Sequence, residues 1–469
     1  MTVWTCFFWT VLAMGVPSPD TETPAPQTAA EAAEEASPGT AGPLPQLTPP
    51  FDAEPLAPPR DLPREMSEEA SPGQVDGPTT PTATAFEASL KQVEEQQKGA
   101  PVERPAIRFS MGKGVSLSSP GEGGGEKWGL RLRAMAQLRN TTTFGGKPGN
   151  VFSARGVRIL LEGHAFERRL VFSLQTGLSP DEVEGGSGLL DAWVSWKLGR
   201  DATLCIGQQR VIYDMVSAVV RRGYLGVTRE NFASELGMSR DVGVALYSDD
   251  FLGLNGFLAY RIGVYGGQGR NRLDNRRFGL LYVARLTLRP FGYFEDTVEG
   301  DVERLDKFRL AVGFSEAFQN NVARTGGQSG EAFDNFAFPR MNAHYLNIDA
   351  MLKWKGLYVA GQYSRRVTSK PFIENGGERV WGRSGEGYVV KAGYMFTSWL
   401  EGAGRWGGQF GLGETEPRLK AFPKHELAVG LNVYFVGHAL KLQAEYSARF
   451  SEAKVLYENG LRLQLQAVF

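Results

Sequence analysis

The residues that decide the fold are the last nine of the chain, Leu461 to Phe469, which read LRLQLQAVF. Apolar residues occupy every second position, and Arg462, Gln464 and Gln466 occupy the positions between them. Side chains of a β-strand alternate between two faces, so this strand has one apolar face and one polar face. Such a strand fits a soluble sandwich, or a membrane barrel whose apolar face meets lipid and whose polar face lines an aqueous lumen.

The same alternation recurs along the chain from Trp128 onward. Sixteen segments have an alternating or β-rich sequence, at residues 128–138, 151–165, 169–178, 188–198, 202–211, 240–247, 256–267, 277–289, 307–317, 344–354, 357–366, 386–396, 399–410, 425–435, 438–450 and 459–469. A single-chain bacterial barrel with both ends on one side needs an even number of strands. The pattern therefore predicts an all-β fold, a 16-stranded antiparallel transmembrane β-barrel.

The connections between these segments alternate in length. Counted from the first segment, even-to-odd connections are two or three residues long, as at 167–168, 199–201, 355–356, 397–398 and 436–437, while odd-to-even connections are longer, at 139–150, 179–187, 212–239, 318–343, 367–385 and 411–424. Residues 290–306 are the exception, because they are long for a turn. Outer-membrane barrels have short periplasmic turns and long external loops, whereas a soluble sandwich gives loop length no reason to follow strand parity. The loop lengths therefore favour the barrel.

The N-terminal part of the chain has a different composition. Residues 1–16 contain a short apolar run that ends in Ala13-Met14-Gly15 and predicts a signal peptide, although no Lys or Arg precedes it; the alternative is an apolar, disordered start. Residues 17–105 hold 18 of the 26 prolines and predict a disordered segment, in which residues 83–98 have the composition of a short helix. The barrel domain is then expected over residues 106–469.

The near-neutral net charge of -1 hides an uneven distribution. Residues 17–105 carry 16 acidic and 5 basic side chains, a net charge of -11, so the rest of the chain is close to +10. No run of about twenty apolar residues exists, which excludes a transmembrane helix. Cys205 would be the one cysteine outside the leader, so we expect no intrachain disulfide, no metal site and no cofactor.

Phasing each segment by its apolar residues sends basic side chains to the inner face and residues such as Leu190 to the outer face. The basic set has fourteen members: Arg131, Arg133, Arg158, Lys197, Arg277, Arg285, Arg289, Arg309, Lys353, Lys391, Arg405, Lys441, Arg449 and Arg462. The acidic set has five: Glu162, Asp191, Asp349, Glu401 and Glu445. A water-filled lumen with this imbalance attracts anions. The alternative is that these charges pair with one another and keep the lumen wet.

The connection at residues 212–239 is the longest, and we call it the long loop. It contains apolar residues such as Met215, Val219 and Leu225, which a loop in solvent would not need. We expect it to fold into the barrel and narrow the pore, offering the constriction residues Arg221, Arg222 and Arg229 to passing solutes. Alternatively, its apolar side chains pack between subunits or cover a rim.

Three short motifs follow one another in the middle of the chain. They are Ile206-Gly207-Gln208, then Ser239-Arg240-Asp241-Val242-Gly243-Val244, then GVYGGQGRN at residues 263–271. In order and spacing, residues 128–469 resemble the phosphate-selective porin O and P family. The resemblance implies a sixteen-stranded trimeric porin whose third external loop constricts the pore, which is the position of the long loop. The loop departs from the phosphate-specific members because it has arginines but no lysine.

The function we expect is that of a porin in the outer membrane of a Gram-negative bacterium, forming a water-filled, anion-preferring channel for small solutes, phosphate or related anions among them. Its partners would be outer-membrane lipid, small anionic solutes and two further copies in a homotrimer, with no nucleic acid. One alternative is an anchor or adhesin whose N-terminal segment contacts the cell wall. An enzyme is disfavoured, since the sequence has no G-x-S-x-G, H-E-x-x-H or P-loop motif.

Overall fold

The computed structural model describes residues 105–120, 126–144, 148–183, 187–228, 236–272, 279–322, 341–375, 378–414, 425–450 and 456–469. The predicted signal peptide, nearly all of the predicted disordered segment, Arg229 and Arg277 lie outside these ranges. The strands are β1 (Ala106–Ser110), β2 (Gly114–Pro120), β3 (Glu126–Thr143), β4 (Gly149–Ala165), β5 (Leu170–Gly177), β6 (Leu189–Gly199), β7 (Ala202–Arg210), β8 (Arg240–Ser248), β9 (Leu258–Tyr265), β10 (Leu281–Leu288), β11 (Arg309–Gln319), β12 (Ala343–Trp354), β13 (Leu357–Thr368), β14 (Phe372–Asn375), β15 (Glu378–Trp381), β16 (Gly385–Met395), β17 (Leu400–Gly411), β18 (His425–Val436), β19 (Leu440–Phe450) and β20 (Leu456–Val468).

Sixteen of these strands, β3 to β13 and β16 to β20, form a closed antiparallel barrel. Each pairs with the next, and β20 closes the ring by pairing with β3, with Gly460 opposite Thr143 and Val468 opposite Met135. Every segment predicted from the sequence overlaps one barrel strand, so the predicted fold is confirmed. The main boundary difference is in β3, which runs five residues beyond the predicted 138.

The two faces of the barrel wall differ as the alternation predicts. In β10, Arg285 is 8 % exposed on the inner face and the adjacent Leu286 is 43 % exposed on the outer face. Large apolar side chains with similar exposure cover the outside of the other strands, including Ile348 and Val390. An apolar outer face on a closed barrel is the pattern of a membrane-spanning barrel of the bacterial outer membrane.

One predicted facing is wrong. Leu190 in β6 is fully buried, because the register between β5 and β6 shifts by one residue: Gln175 pairs with Asp191, whereas Thr176 pairs with Leu189. The bulge leaves Leu190 unpaired with β5 and turns it away from the outer face. Separately, none of the helices within the described ranges is long and apolar enough to cross a membrane.

An N-terminal hairpin precedes the barrel and was not anticipated. Strands β1 and β2 pair with each other, and β2 pairs with β3, with Val115 opposite Leu132 and Leu117 opposite Leu130. Gly114 adopts a φ of 77° at the start of β2, and a Cβ atom there would lie 2.1 Å from the Leu132 carbonyl oxygen. This close approach of two backbones requires glycine. A second hairpin, β14 with β15, lies within the connection from β13 to β16.

Candidate functional site

Two connections fold into the barrel from opposite ends and meet inside it. The long loop enters between β7 and β8, and residues 212–228 and 236–239 of it are described. Residues 290–306, which we call the turn segment, enter between β10 and β11, at the end that also carries the short Lys355-Gly356 turn. The Val220 N–H donates to the Thr297 carbonyl at 2.8 Å, and the Glu299 N–H donates to the Gly223 carbonyl at 2.8 Å. The two connections thus run side by side in the same chain direction where they meet in the lumen.

The first part of the long loop contains a single helical turn, α1 (Met215–Ala218). Asp214 caps it, because its carboxylate accepts a hydrogen bond from the Ser217 N–H at 2.5 Å. The Met215 N–H donates to Asp349 on β12 at 3.2 Å, and Asp349 is itself paired with Arg285 on β10 at 2.7 Å. A buried ion pair on the wall therefore fixes the start of the loop.

The second part of the loop runs across to the opposite wall. Lys441 Nζ donates to the Tyr224 carbonyl at 2.8 Å, and Gln466 Nε2 donates to the Arg222 carbonyl at 3.0 Å. Farther along, the Val227 N–H donates to Glu445 at 2.9 Å. The loop thus spans the barrel from β12 to β20, held largely through its backbone.

The turn segment is held by charged side chains. Lys391 Nζ lies 2.5 Å from Glu299 Oε1, and the Leu225 N–H of the long loop donates to Glu299 Oε2 at 2.7 Å. Lys353 Nζ donates to the carbonyls of Glu295 at 2.9 Å and Val298 at 2.8 Å. Wall and loop together therefore surround the Glu299 carboxylate, which is buried.

The basic residues named from the sequence mostly contact protein groups. Arg133 pairs with Glu162 at 2.6 Å and Arg158 pairs with Glu182 at 2.6 Å. Arg221 also reaches Glu182, at 2.9 Å. Five others donate hydrogen bonds: Arg309 to the Phe291 carbonyl, Arg462 to the Ser447 hydroxyl, Arg405 to Glu426, Arg289 to Asp296 at 2.9 Å and Arg449 to Glu458 at 3.3 Å. Arg131 and Arg222 are half-buried, and Lys197 is exposed near the end of β6.

Burial of the inner face shows how full the lumen is at this level. Lys441, Gln466 and Asn347, on three different strands, have no exposed area, and Arg366 has none either. Side chains on the wall of a wide water-filled channel would touch water, whereas Lys441 and Gln466 are covered by the long loop and Arg366 donates to the carbonyls of Gly382 and Arg383 in the connection between β13 and β16. At this level the lumen therefore has less room for water than the sequence predicts, because connections between strands occupy part of the space.

The charge balance of the inner face also differs from the sequence expectation. Among the described residues, the buried set has thirteen basic and eleven acidic members. Four of the acids, Glu182, Asp214, Glu299 and Asp301, come from connections between strands, which phasing of strands does not place. Phasing of strands therefore does not predict that acidic residues of the connections neutralise basic residues of the wall. For Glu299 and Asp301 the signal in the sequence is the set of six acidic side chains in residues 290–306.

The inner face of β7 to β13 carries a cluster of a different kind. Its members are apolar, small or aromatic: Cys205, Val211, Tyr213, Met238, Ala245, Tyr265, Leu281, Val283, Ala317, Val322, Met341, Ala343 and Tyr345. Burial raises the pKa of the Tyr213 phenol in the long loop well above its usual range. This cluster is a packed core, and buried charged residues such as Arg240, Arg285 and Asp349 lie beside it on the same strands.

No group of three or more His, Cys, Asp or Glu side chains stands ready to hold a metal ion in the part of the chain that the structure describes. No protein-family model matches the sequence, and no curated protein matches it.

Several solved proteins of the bacterial outer membrane have a similar fold. OmpF of Salmonella typhi, solved in a complex with daunomycin, matches with a TM-score of 0.50 and 16 % identity over 73 % of this chain and 98 % of that chain. The chain has a porin fold. Two further matches are the outer membrane channel DcaP of Acinetobacter baumannii, with 13 % identity over 73 % of this chain and 97 % of that chain, and the anion-selective porin from Comamonas acidovorans, with 10 % identity over 73 % and 100 %, both with a TM-score of 0.47.

Proposed function

We propose that the protein is an outer-membrane porin, a diffusion channel for small solutes that prefers anions. The observation that carries this proposal is the closed sixteen-stranded barrel with an apolar outer face and a charged inner face, crossed by a long loop between its fifth and sixth strands. A loop that crosses the lumen sets the narrowest point, where charge acts most strongly on a passing ion. Catalysis is not part of the proposal.

The anion preference rests on the charge of the wall itself. Among the buried charged residues on described barrel strands, eleven are basic and seven are acidic. Arg222 on the long loop adds a half-buried cation close to Lys441 and His438. A wall with this excess of positive charge favours anions in a narrow, weakly screened space.

Finer features are part of the same proposal. The motifs at residues 206–208, 239–244 and 263–271 support a relationship to the phosphate-selective porins O and P, and with it phosphate or related anions as solutes and a homotrimer as the assembly. Residues 17–105 would then lie on the periplasmic side, because the first strand starts at the end of the short turns.

The test is the reversal potential of single channels in a potassium chloride gradient. Arg222→Glu should reduce the anion preference several-fold, because it reverses a charge at the crossing loop. The matched control is Lys197→Glu, which reverses an exposed charge near the short-turn end of β6 and should change the preference far less. A cation-selective unmodified channel would refute the anion preference, and equal effects of the two substitutions would refute the place of the constriction.

A closed anchor is the second candidate, and the filled lumen favours it. In that case the barrel would hold the N-terminal segment at the membrane and would pass no current. Solute uptake by liposomes that contain the full-length protein separates the two functions, since an anchor gives no uptake under any condition and a porin gives uptake that scales with protein content.

A further inference from the structure

We propose that the turn segment, residues 290–306, is an autoinhibitory plug that closes the channel from the periplasmic end, and that the channel conducts when this segment withdraws. The inference rests on the proposed porin function and adds its regulation. The turn segment is much longer than the other connections at the same end of the barrel.

Length and position first set this segment apart. Most other connections at the same end are short, such as Lys355-Gly356 between β12 and β13 and residues 200–201 between β6 and β7, and residues 249–257 between β8 and β9 are about half as long as the turn segment. A turn that only joins two antiparallel strands needs few residues. The additional residues of the turn segment enter the lumen, where Phe294 and Val298 are buried against the long loop and the wall. The excess length therefore fills the barrel.

The charge of the segment is complementary to the wall that it covers. Residues 290–306 contain Glu295, Asp296, Glu299, Asp301, Glu303 and Asp306 against a single basic residue, Arg304. Glu299 pairs with Lys391, and Asp296 pairs with Arg289 at 2.8 Å. The acidic side chains of the segment thus pair with wall cations to which an anionic solute would otherwise bind.

Glu299 is the centre of the closed arrangement. Its carboxylate accepts from Lys391 on the wall and from the Leu225 N–H on the long loop, while its own N–H donates to the Gly223 carbonyl. One residue thus joins the segment, the loop and the wall. A positive charge at this position would face Lys391, and the repulsion between two buried cations would expel the segment.

Two glycines place the segment against the wall. Gly292 and Gly300 have φ values of 81° and 74°, which favour glycine. At Gly300 a Cβ atom would lie 2.8 Å from Glu401 Oε1, so the backbone passes close to the wall at this point. Asp301 fixes the end of the segment, because its carboxylate accepts from the Gly356 N–H at 2.6 Å. The segment is therefore built to fit the inner wall.

The first experiment compares Glu299→Lys with the matched control Glu303→Lys, which changes an exposed acid on the same segment. Both full-length variants are recorded in planar lipid bilayers. We expect Glu299→Lys to raise the open fraction of single channels at least several-fold, and Glu303→Lys to leave it at the unmodified level. Equal open fractions for Glu299→Lys and the unmodified protein would overturn the proposal.

A second variant keeps the proposal testable if Glu299→Lys fails to assemble. A Cβ atom on Gly223 would lie 3.0 Å from the Val298 Cα, so Gly223→Cys with Val298→Cys, in a Cys205→Ser background, can form a disulfide between the loop and the segment. We expect the oxidised protein to stay closed and a reductant to return its openings to the unmodified level. Openings that persist in the oxidised protein would overturn the proposal.

Replacing residues 293–301 with a Gly-Ser linker of equal length separates this inference from the proposed function. Permanent conduction supports both. A closed channel that opens only when residues 212–228 are also replaced would overturn the plug and keep the porin, because the long loop alone would then be the barrier. A channel that stays closed with both replacements would overturn the plug and the porin function together.

Discussion

The two halves of the lumen are built from different chemistry. On β7 to β13, which we call the apolar half, the inner face carries a packed cluster around Tyr265, Leu281 and Tyr345, beside the buried ion pair of Arg285 and Asp349. On β16 to β20 and β3 it is a network of ions and amides, in which Gln137 donates to Gln466 at 2.6 Å and Gln443 donates to Asn432 at 3.0 Å. The cluster in the apolar half has few groups that water or an ion could bind, so we expect an aqueous path to run along the charged half.

This difference also explains how the long loop is held. Its first part packs into the apolar half and is fixed there by burial, whereas its second part crosses the charged half on hydrogen bonds to its carbonyls. Hydrogen bonds to a backbone can be exchanged for water at little net cost, whereas apolar burial cannot. The comparison therefore predicts that substitutions in the apolar half affect stability and those in the charged half affect conduction.

The largest stability effect is expected at the buried ion pair of the apolar half. Asp349→Ala leaves Arg285 buried without its carboxylate and removes the acceptor of the Met215 N–H, so it should cost about 3–5 kcal/mol of unfolding free energy. Urea unfolding of the barrel in detergent micelles measures this loss. The matched control is Glu316→Ala, an exposed acid on β11, for which we expect a change within about 0.5 kcal/mol. Similar losses for both would show that Asp349 does not hold the loop.

A smaller stability effect tests the apolar half itself. Leu281→Ala empties a fully buried site and should cost about 2–4 kcal/mol, while Leu286→Ala on the outer face of the same strand should cost less, because lipid or detergent can fill the space. Neither should change ion selectivity. A selectivity change in Leu281→Ala would mean that the aqueous path runs through the apolar half, contrary to the comparison.

The smallest effect is the dependence of selectivity on salt. Screening shortens from about 10 Å at 0.1 M salt to about 3 Å at 1 M, so a preference caused by wall charges across an aqueous path should fall as salt rises. Permeability ratios measured at both concentrations decide this. A preference that does not change with salt would indicate direct contact between ion and wall in the charged half.

The sequence was sufficient for the barrel because strand alternation is a local property. Leu461, Leu463 and Leu465 predict an outward face without any knowledge of their neighbours, and the same holds for the other strands apart from Leu190 in β6. The N-terminal hairpin carried the same signal in Ile107 and Phe109, and Val115 and Leu117. The hairpin adds no strand to the closed ring, so the even number of barrel strands did not indicate it.

The contents of the lumen could not be derived in this way. Lys391 and Glu299 are 92 residues apart, and Gln466 and Arg222 are 244 apart, so no local pattern links them. Phasing identifies which wall residues point inward, but it does not say which connection will cover them. The turn segment is the clearest case, since its length was visible and its destination was not.

The N-terminal hairpin has a consequence for how the ring closes. Strand β2 pairs with the same edge of β3 as β20 does, β2 along residues 126–132 and β20 along residues 135–143. The Gly112 N–H donates to the Val468 carbonyl at 2.9 Å. Because β1, β2 and β3 are neighbours in sequence, they can pair before the last strand arrives. When β20 pairs last, only residues 135–143 of β3 are free on this edge, and β20 cannot slide past Gly112. Since a slip of one residue would turn every side chain of β20 to the wrong face, the hairpin acts as a stop that sets the register of closure.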